Sequence, residues 1–234
     1  DRSDITFLCL PDEAAKAAVA MAGADTVVID ASSAHRVHPD FAYGFPELSA
    51  VHRRRIEQSK RISVPGCHAS GFIALVYPLV HSGLLPAEAR LVCHSLTGYS
   101  GGGKSMIAAY EAADRPALLQ APRQYALTQS HKHLPEMQAR TGLMEAPAFC
   151  PIVADYYCGM EVTVPLFAKE LRGDAQDIKE IYKNTYRDTI VTYTDDFEED
   201  GFASAGRFAG TDGMQLCVAG NEERILLVAR YDNL

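Results

Sequence analysis

The chain has 234 residues, 47% of them apolar, enough to bury a sizeable core in one or two globular domains. Its 30 acidic against 22 basic side chains leave a net charge of −8. Arg53-Arg54-Arg55 is the only compact basic run and reads as a solvated helix face, which argues against a nucleic-acid surface. No stretch is apolar for long enough to span a membrane. Six cysteines without a C-x-x-C pair or zinc-like spacing make a reducing cytosol the expected home.

Residues 5–10 (Ile-Thr-Phe-Leu-Cys-Leu) read as a buried strand, 11–22 as an alanine-rich helix and 26–30 as a second strand, a βαβ rhythm that predicts a parallel sheet. No G-x-G-x-x-G turn precedes them, so the chain is expected to begin partway through a dinucleotide fold. After the second strand comes Asp30-Ala31-Ser32-Ser33-Ala34-His35-Arg36, at a strand end where open α/β sheets bind ligands. A guanidinium forks onto phosphate or carboxylate, and serine hydroxyls beside it can complete an anion site. The alternative is a surface arginine after a turn.

Pro65-Gly66 marks a tight turn, and the apolar spacing at Ile73, Val76, Leu79 and Val80 predicts a helix with one buried face. Cys67 then falls at the helix N-terminus, where free backbone N–H groups and the helix dipole favour a thiolate. A buried structural cysteine is the alternative. Further on, residues 89–95 read as a strand and 106–113 as a helix. The glycine loop between them literally satisfies the P-loop pattern, Gly98-x-x-x-x-Gly103-Lys104-Ser105, with Asp155 as a possible downstream magnesium ligand.

In residues 125–136 His131 and His133 alternate, so on an extended segment both face one side. Two imidazoles without a third ligand make a weak metal site, and isolated surface histidines are the alternative. Residues 149–155, 160–166, 214–219 and 224–231 have strand character, 177–190 reads as an amphipathic helix and 201–213 as a loop. Strands following one another in this way suggest a mixed or antiparallel sheet.

Three stretches together, Ser63-Val64-Pro65-Gly66-Cys67-His68-Ala69-Ser70-Gly71, Gly98-Tyr99-Ser100-Gly101-Gly102-Gly103-Lys104 and Tyr43-Gly44-Phe45-Pro46-Glu47-Leu48, resemble the N-acetyl-γ-glutamyl-phosphate reductases of arginine biosynthesis, in their shorter bacterial form. The resemblance runs from about Asp4 to Leu234. It implies an α/β protein with part of a Rossmann-like dinucleotide-binding domain (residues 1–66). An α+β catalytic and dimerisation domain with a mixed sheet, semialdehyde dehydrogenase-like, would follow (67–234). The implied reaction is NADPH-dependent reduction of an acyl phosphate to an aldehyde through a cysteine thioester, in a cytoplasmic homodimer or homotetramer. By the same resemblance Cys67 is the nucleophile, with His131 first and His133 second as its acid–base partner. Ser32, Ser33 and Arg36 would hold the substrate phosphate, and Pro11, Ser100, Gly101 and Asn233 would contact NADP. No metal, nucleic acid or membrane is implied. Val64 departs from the family, which commonly has Asn there, and the segments expected to flank the chain are a glycine-rich βα unit and a C-terminal helix. The rival functions are a P-loop nucleotide triphosphatase and a catalytically silent binding or assembly domain.

Overall fold

A computed structural model describes residues 3–234. Its first layer is β1 (Ile5–Leu8), α1 (Asp12–Met21), β2 (Val27–Asp30), β3 (Ala42–Tyr43), α2 (Ala50–Gln58) and β4 (Arg61–Ser63). The four strands are all parallel, in the order β1-β2-β4-β3. β1 lies at one end of these four strands, where Ile5 and Phe7 are 54% and 70% exposed. The three consecutive arginines lie on α2, which has no buried residue, as a solvated face requires.

α3 (Cys67–His81) is the organising helix. Every residue from His68 to Leu79 except the half-buried Ser70 is buried, rather than one stripe, because the helix packs against helices as well as the large sheet. Pro78 lies inside it and cannot donate to the Ala74 carbonyl one turn earlier. The Tyr186 hydroxyl donates to that carbonyl at 2.7 Å, and Tyr182 to the Leu75 carbonyl at 2.6 Å, so the proline leaves no orphan acceptor there.

The second layer comprises β5 (Val92–Gly98), α4 (Gly103–Glu111), β6 (Arg123–Gln124), α5 (Leu134–Thr141), β7 (Ala148–Ala154) and β8 (Met160–Phe167). α6 (Ala175–Thr185), β9 (Val191–Tyr193), β10 (Met214–Gly220) and β11 (Arg224–Tyr231) complete it. Its seven-stranded sheet runs β6-β7-β5-β8-β11-β10-β9, with β5–β7 and β9–β10 parallel and the other pairs antiparallel, the mixed sheet expected. Residues 131–133 are a turn leading into α5 and not an extended segment. No helix among the described residues is long and apolar enough to cross a membrane. No group of three or more His, Cys, Asp or Glu there could hold a metal ion.

Candidate active site

Gly66 caps α3 in extended conformation (φ −77°), so it is glycine for space and not for a left-handed backbone. A Cβ there would lie 2.3 Å from Arg36 Nη1, 2.5 Å from His133 Nε2 and 2.8 Å from Glu136 Oε2. Cys67 is the first helical residue, as the sequence predicts. Its carbonyl accepts from the Tyr231 hydroxyl at 2.6 Å, and the same hydroxyl accepts from the Gly71 N–H at 3.0 Å, so the end of β11 holds the first turn of α3. Burial raises the Cys67 thiol above its ordinary pKa; the His68 backbone N–H and the Arg36 and Lys132 charges pull it down, and Glu136 pushes it up. The thiolate expected from helix position alone is therefore not the resting form, because desolvation outweighs the helix terminus.

Arg36 and Glu136 meet beside this turn. Glu136 Oε1 accepts from the Tyr43 hydroxyl at 2.7 Å and the Gly66 N–H at 2.8 Å, and Oε2 accepts from Arg36 at 3.3 Å. Arg36 also donates to the Val64 carbonyl at 3.0 Å and the Ala31 carbonyl at 3.1 Å. Both side chains are buried, so the pair ties the strand-end loop after β2 to α5. The surface alternative for Arg36 is excluded. Val64 brings no side-chain hydrogen bond, but its backbone is held from both sides, its N–H donating to the Asp30 carbonyl at 2.8 Å and its carbonyl accepting from Arg36.

Cys67 and Arg36 line two cavities. The one of about 350 Å³ is walled by His68, His131, Lys132, His133 and Tyr125, with Thr97, Gly98, Gly101 and Gly102 opposite. Two cations and three imidazoles face it, and no carboxylate lines it. The other, of about 480 Å³, is lined by Phe45, Val64, Pro65, Tyr231 and Asn233, with Glu47, Asp212 and Asp232 at its walls. His131 and His133 rings stand 4.7 Å apart, and the His133 N–H donates to His131 Nδ1 at 3.2 Å. Burial lowers both pKa values, and neighbouring charges including Lys132 and Arg36 add to it, so both imidazoles are neutral at pH 7. Among the described residues the buried Nδ1 of His133 has no hydrogen-bond partner. The two histidines line one cavity with Cys67, placed there by a turn and a helix start and not by strand alternation.

Ser32 and Ser33 do not face the thiol. Ser32 Oγ donates to Asp30 at 2.7 Å and Ser33 Oγ to Asp12 at 2.7 Å, so both hydroxyls are spent on carboxylates. Ser100, Gly101 and Asn233 do meet: Asn233 Nδ2 donates to Ser100 Oγ at 3.0 Å, and a Cβ on Gly101 would lie 2.9 Å from Asn233 Nδ2. Pro11 stands apart as the N-cap of α1 and lines neither cavity. The P-loop pattern has lost its context. β5 has an antiparallel neighbour, and Asp155 is clamped by Arg115 through two 2.7 Å bonds. Sequence reasoning missed His68, Tyr125, Tyr43 and Glu136; the only signal for them was residue type inside the motifs.

Residues 67–233 match the semialdehyde dehydrogenase dimerisation domain and residues 1–58 the semialdehyde dehydrogenase NAD-binding domain, so the class of protein is a semialdehyde dehydrogenase. In fold the chain is similar to aspartate semialdehyde dehydrogenase II from Vibrio cholerae (TM-score 0.71, 18% identity, 98% of this chain and 74% of that one). It is likewise similar to the Francisella tularensis aspartate semialdehyde dehydrogenase (TM-score 0.68, 15% identity, 98% and 77%). In sequence it is 41% identical, over 242 aligned positions, to N-acetyl-γ-glutamyl-phosphate reductases of Brucella ovis and Brucella canis, covering 99% of this chain and 78% of each relative. The chain belongs to the N-acetyl-γ-glutamyl-phosphate reductase family.

Proposed function

We propose that this protein reduces N-acetyl-γ-glutamyl phosphate to N-acetylglutamate semialdehyde with NADPH, in arginine biosynthesis, and that Cys67 carries the acyl group. The observation that carries the proposal is Cys67 at the start of α3, shared by a cationic cavity and a largely apolar one. The cationic cavity suits the acyl phosphate, with Arg36 and Lys132 toward its charge. The carboxylate-flanked cavity repels such an anion and suits a nicotinamide ring. Asn233, which lines that cavity and is hydrogen-bonded to Ser100, would contact the cofactor there, with Gly101 beside it at the wall of the cationic cavity. When bound, NADPH supplies the hydride.

The residues then divide the proton work. The Cys67 thiol gives its proton to His131, or to His133 beside it, which is neutral and able to accept it. The sulfur attacks the acyl carbon, the carbon–oxygen bond to phosphate breaks, and the proton leaves with the phosphate. After reduction of the thioester the imidazole, recharged from solvent, protonates the oxygen. It then takes that proton back as the aldehyde departs and returns it to sulfur. Arg36 holds the phosphate through the donors not engaged by Val64, Ala31 and Glu136. Ser32 and Ser33 contribute indirectly, by fixing the loop that carries Arg36. The sheet of residues 92–231 is the proposed contact with a second copy, and the cytoplasm the proposed compartment. Cys67→Ser should abolish NADPH oxidation with this substrate while leaving the melting temperature unchanged. Normal turnover in that variant would overturn the proposal.

A further inference from the structure

His68, next to the proposed nucleophile, is 3% exposed and hydrogen-bonded at both ring nitrogens. Nδ1 lies 2.6 Å from Ser95 Oγ and Nε2 lies 2.6 Å from the Tyr125 hydroxyl. Burial drives its pKa down to about 3, so the ring is neutral and one nitrogen donates while the other accepts. Two tautomers satisfy the distances, and they give Tyr125 opposite polarity.

Ser95 decides between them. Its hydroxyl is buried on β5 (1% exposed), and among the described residues its hydrogen-bond partner is His68 Nδ1. Were Nδ1 to donate, the serine hydrogen would be buried without an acceptor, at a cost of about 1–3 kcal/mol. Were Ser95 to donate, only oxygen lone pairs go unused, which folded proteins tolerate better than an orphaned donor. Ser95 therefore donates to Nδ1, the proton sits on Nε2, and Nε2–H donates to Tyr125 Oη. The tyrosine hydrogen then cannot point at His68. It is left for the cavity that Tyr125 and Cys67 both line.

We propose that the Tyr125 hydroxyl donates a hydrogen bond to the acyl oxygen as charge develops on it, and that His68, held by Ser95, is the positioning residue that aims it. This rests on the acyl-transfer function proposed above. When the Cys67 sulfur bonds to the acyl carbon, the carbonyl π pair moves onto oxygen. Tyr125 stabilises that oxyanion without releasing its proton, and the pair returns as phosphate leaves. The same donor serves when hydride adds to the thioester. Burial raises the Tyr125 pKa, in keeping with a group that donates a hydrogen bond and keeps its proton. The Ser95–His68–Tyr125 chain runs in one direction, so each bond polarises the next.

The test is a double-mutant cycle on the full chain, with ¹⁵N NMR of the His68 ring. Tyr125→Phe should lower kcat by about 10²–10³ with little change in KM, the loss typical of one oxyanion donor. Ser95→Ala should lower kcat less, Ser95→Thr should restore it, and Ser95→Ala should cost nothing further in the Tyr125→Phe background. The His68 resonances, assigned by their loss in His68→Gln, should show the Nε2-protonated neutral tautomer. Additive losses, wild-type kcat in Tyr125→Phe, or an Nδ1-protonated ring overturns the proposal. So does a fall in Cys67 alkylation in Tyr125→Phe as large as its fall in kcat, because the hydroxyl would then serve the sulfur. Absence of acyl-phosphate reduction in the unaltered protein is instead a failure of the proposed function, and the tautomer is measured either way.

Discussion

Gly66→Ala isolates the geometry of the site from its chemistry, because it changes no reacting group. The backbone at Gly66 is ordinary (φ −77°, ψ 145°), so an alanine brings no conformational strain. Its methyl would instead arrive at 2.3, 2.5 and 2.8 Å from Arg36, His133 and Glu136, and all three must retreat by roughly half an ångström or more to reach van der Waals contact. Overpacking of this kind costs about 1–3 kcal/mol. For a chain of this size that is a fall in melting temperature of about 2–12 °C. Activity should suffer more, because Arg36 and His133 both face the cavity of Cys67 and a misplacement near 1 Å costs about 10²-fold in rate. Calorimetry and initial rates of NADPH oxidation on the same preparation give both numbers. Wild-type kcat in Gly66→Ala, with an unchanged melting temperature, would refute the packing assigned to Gly66.

Arg36→Lys keeps the charge but loses the fork that reaches Val64, Ala31 and Glu136 together, so KM for the acyl phosphate should rise and stability should fall by about 1–3 kcal/mol; unchanged KM would remove Arg36 from the phosphate. Because the Cys67 pKa lies above its ordinary value of 9.0, alkylation of this cysteine should keep accelerating as pH rises through 9, and a plateau below pH 7 would contradict the raised thiol. Lys104→Ala should leave the reaction unaltered, and NADPH rather than magnesium-ATP should raise the melting temperature. Stabilisation by magnesium-ATP that depends on Lys104 would revive the triphosphatase.

Cys67 was legible because a Pro-Gly turn and an apolar run specify a helix start within a few residues. The partners of Cys67 were not. Tyr43 and Arg36 reach Glu136 across 93 and 100 positions, and His68 reaches Tyr125 across 57, separations that no local pattern encodes. Ser32 and Ser33 sit where an anion site was expected, yet Asp12 and Asp30 take their hydroxyls, and nothing near Ser33 in sequence marks Asp12, 21 positions away. The glycine loop satisfied a phosphate motif in letters, whereas the antiparallel neighbour of β5 and the Arg115 clamp on Asp155 depend on the assembled sheet. Strand succession points to a mixed or antiparallel sheet and the family resemblance to a mixed one, but neither carries the strand order, since β5 lies between β7 and β8.

The most direct measurement mixes the protein with N-acetyl-γ-glutamyl phosphate in the absence of NADPH and analyses the quenched sample by peptide mass spectrometry. Phosphate should be released in a stoichiometric burst, and the acyl mass should reside on the peptide carrying Cys67, disappearing when NADPH is added. An acyl group on another residue, or turnover with NADPH and no acylated Cys67 at any time, would contradict the account.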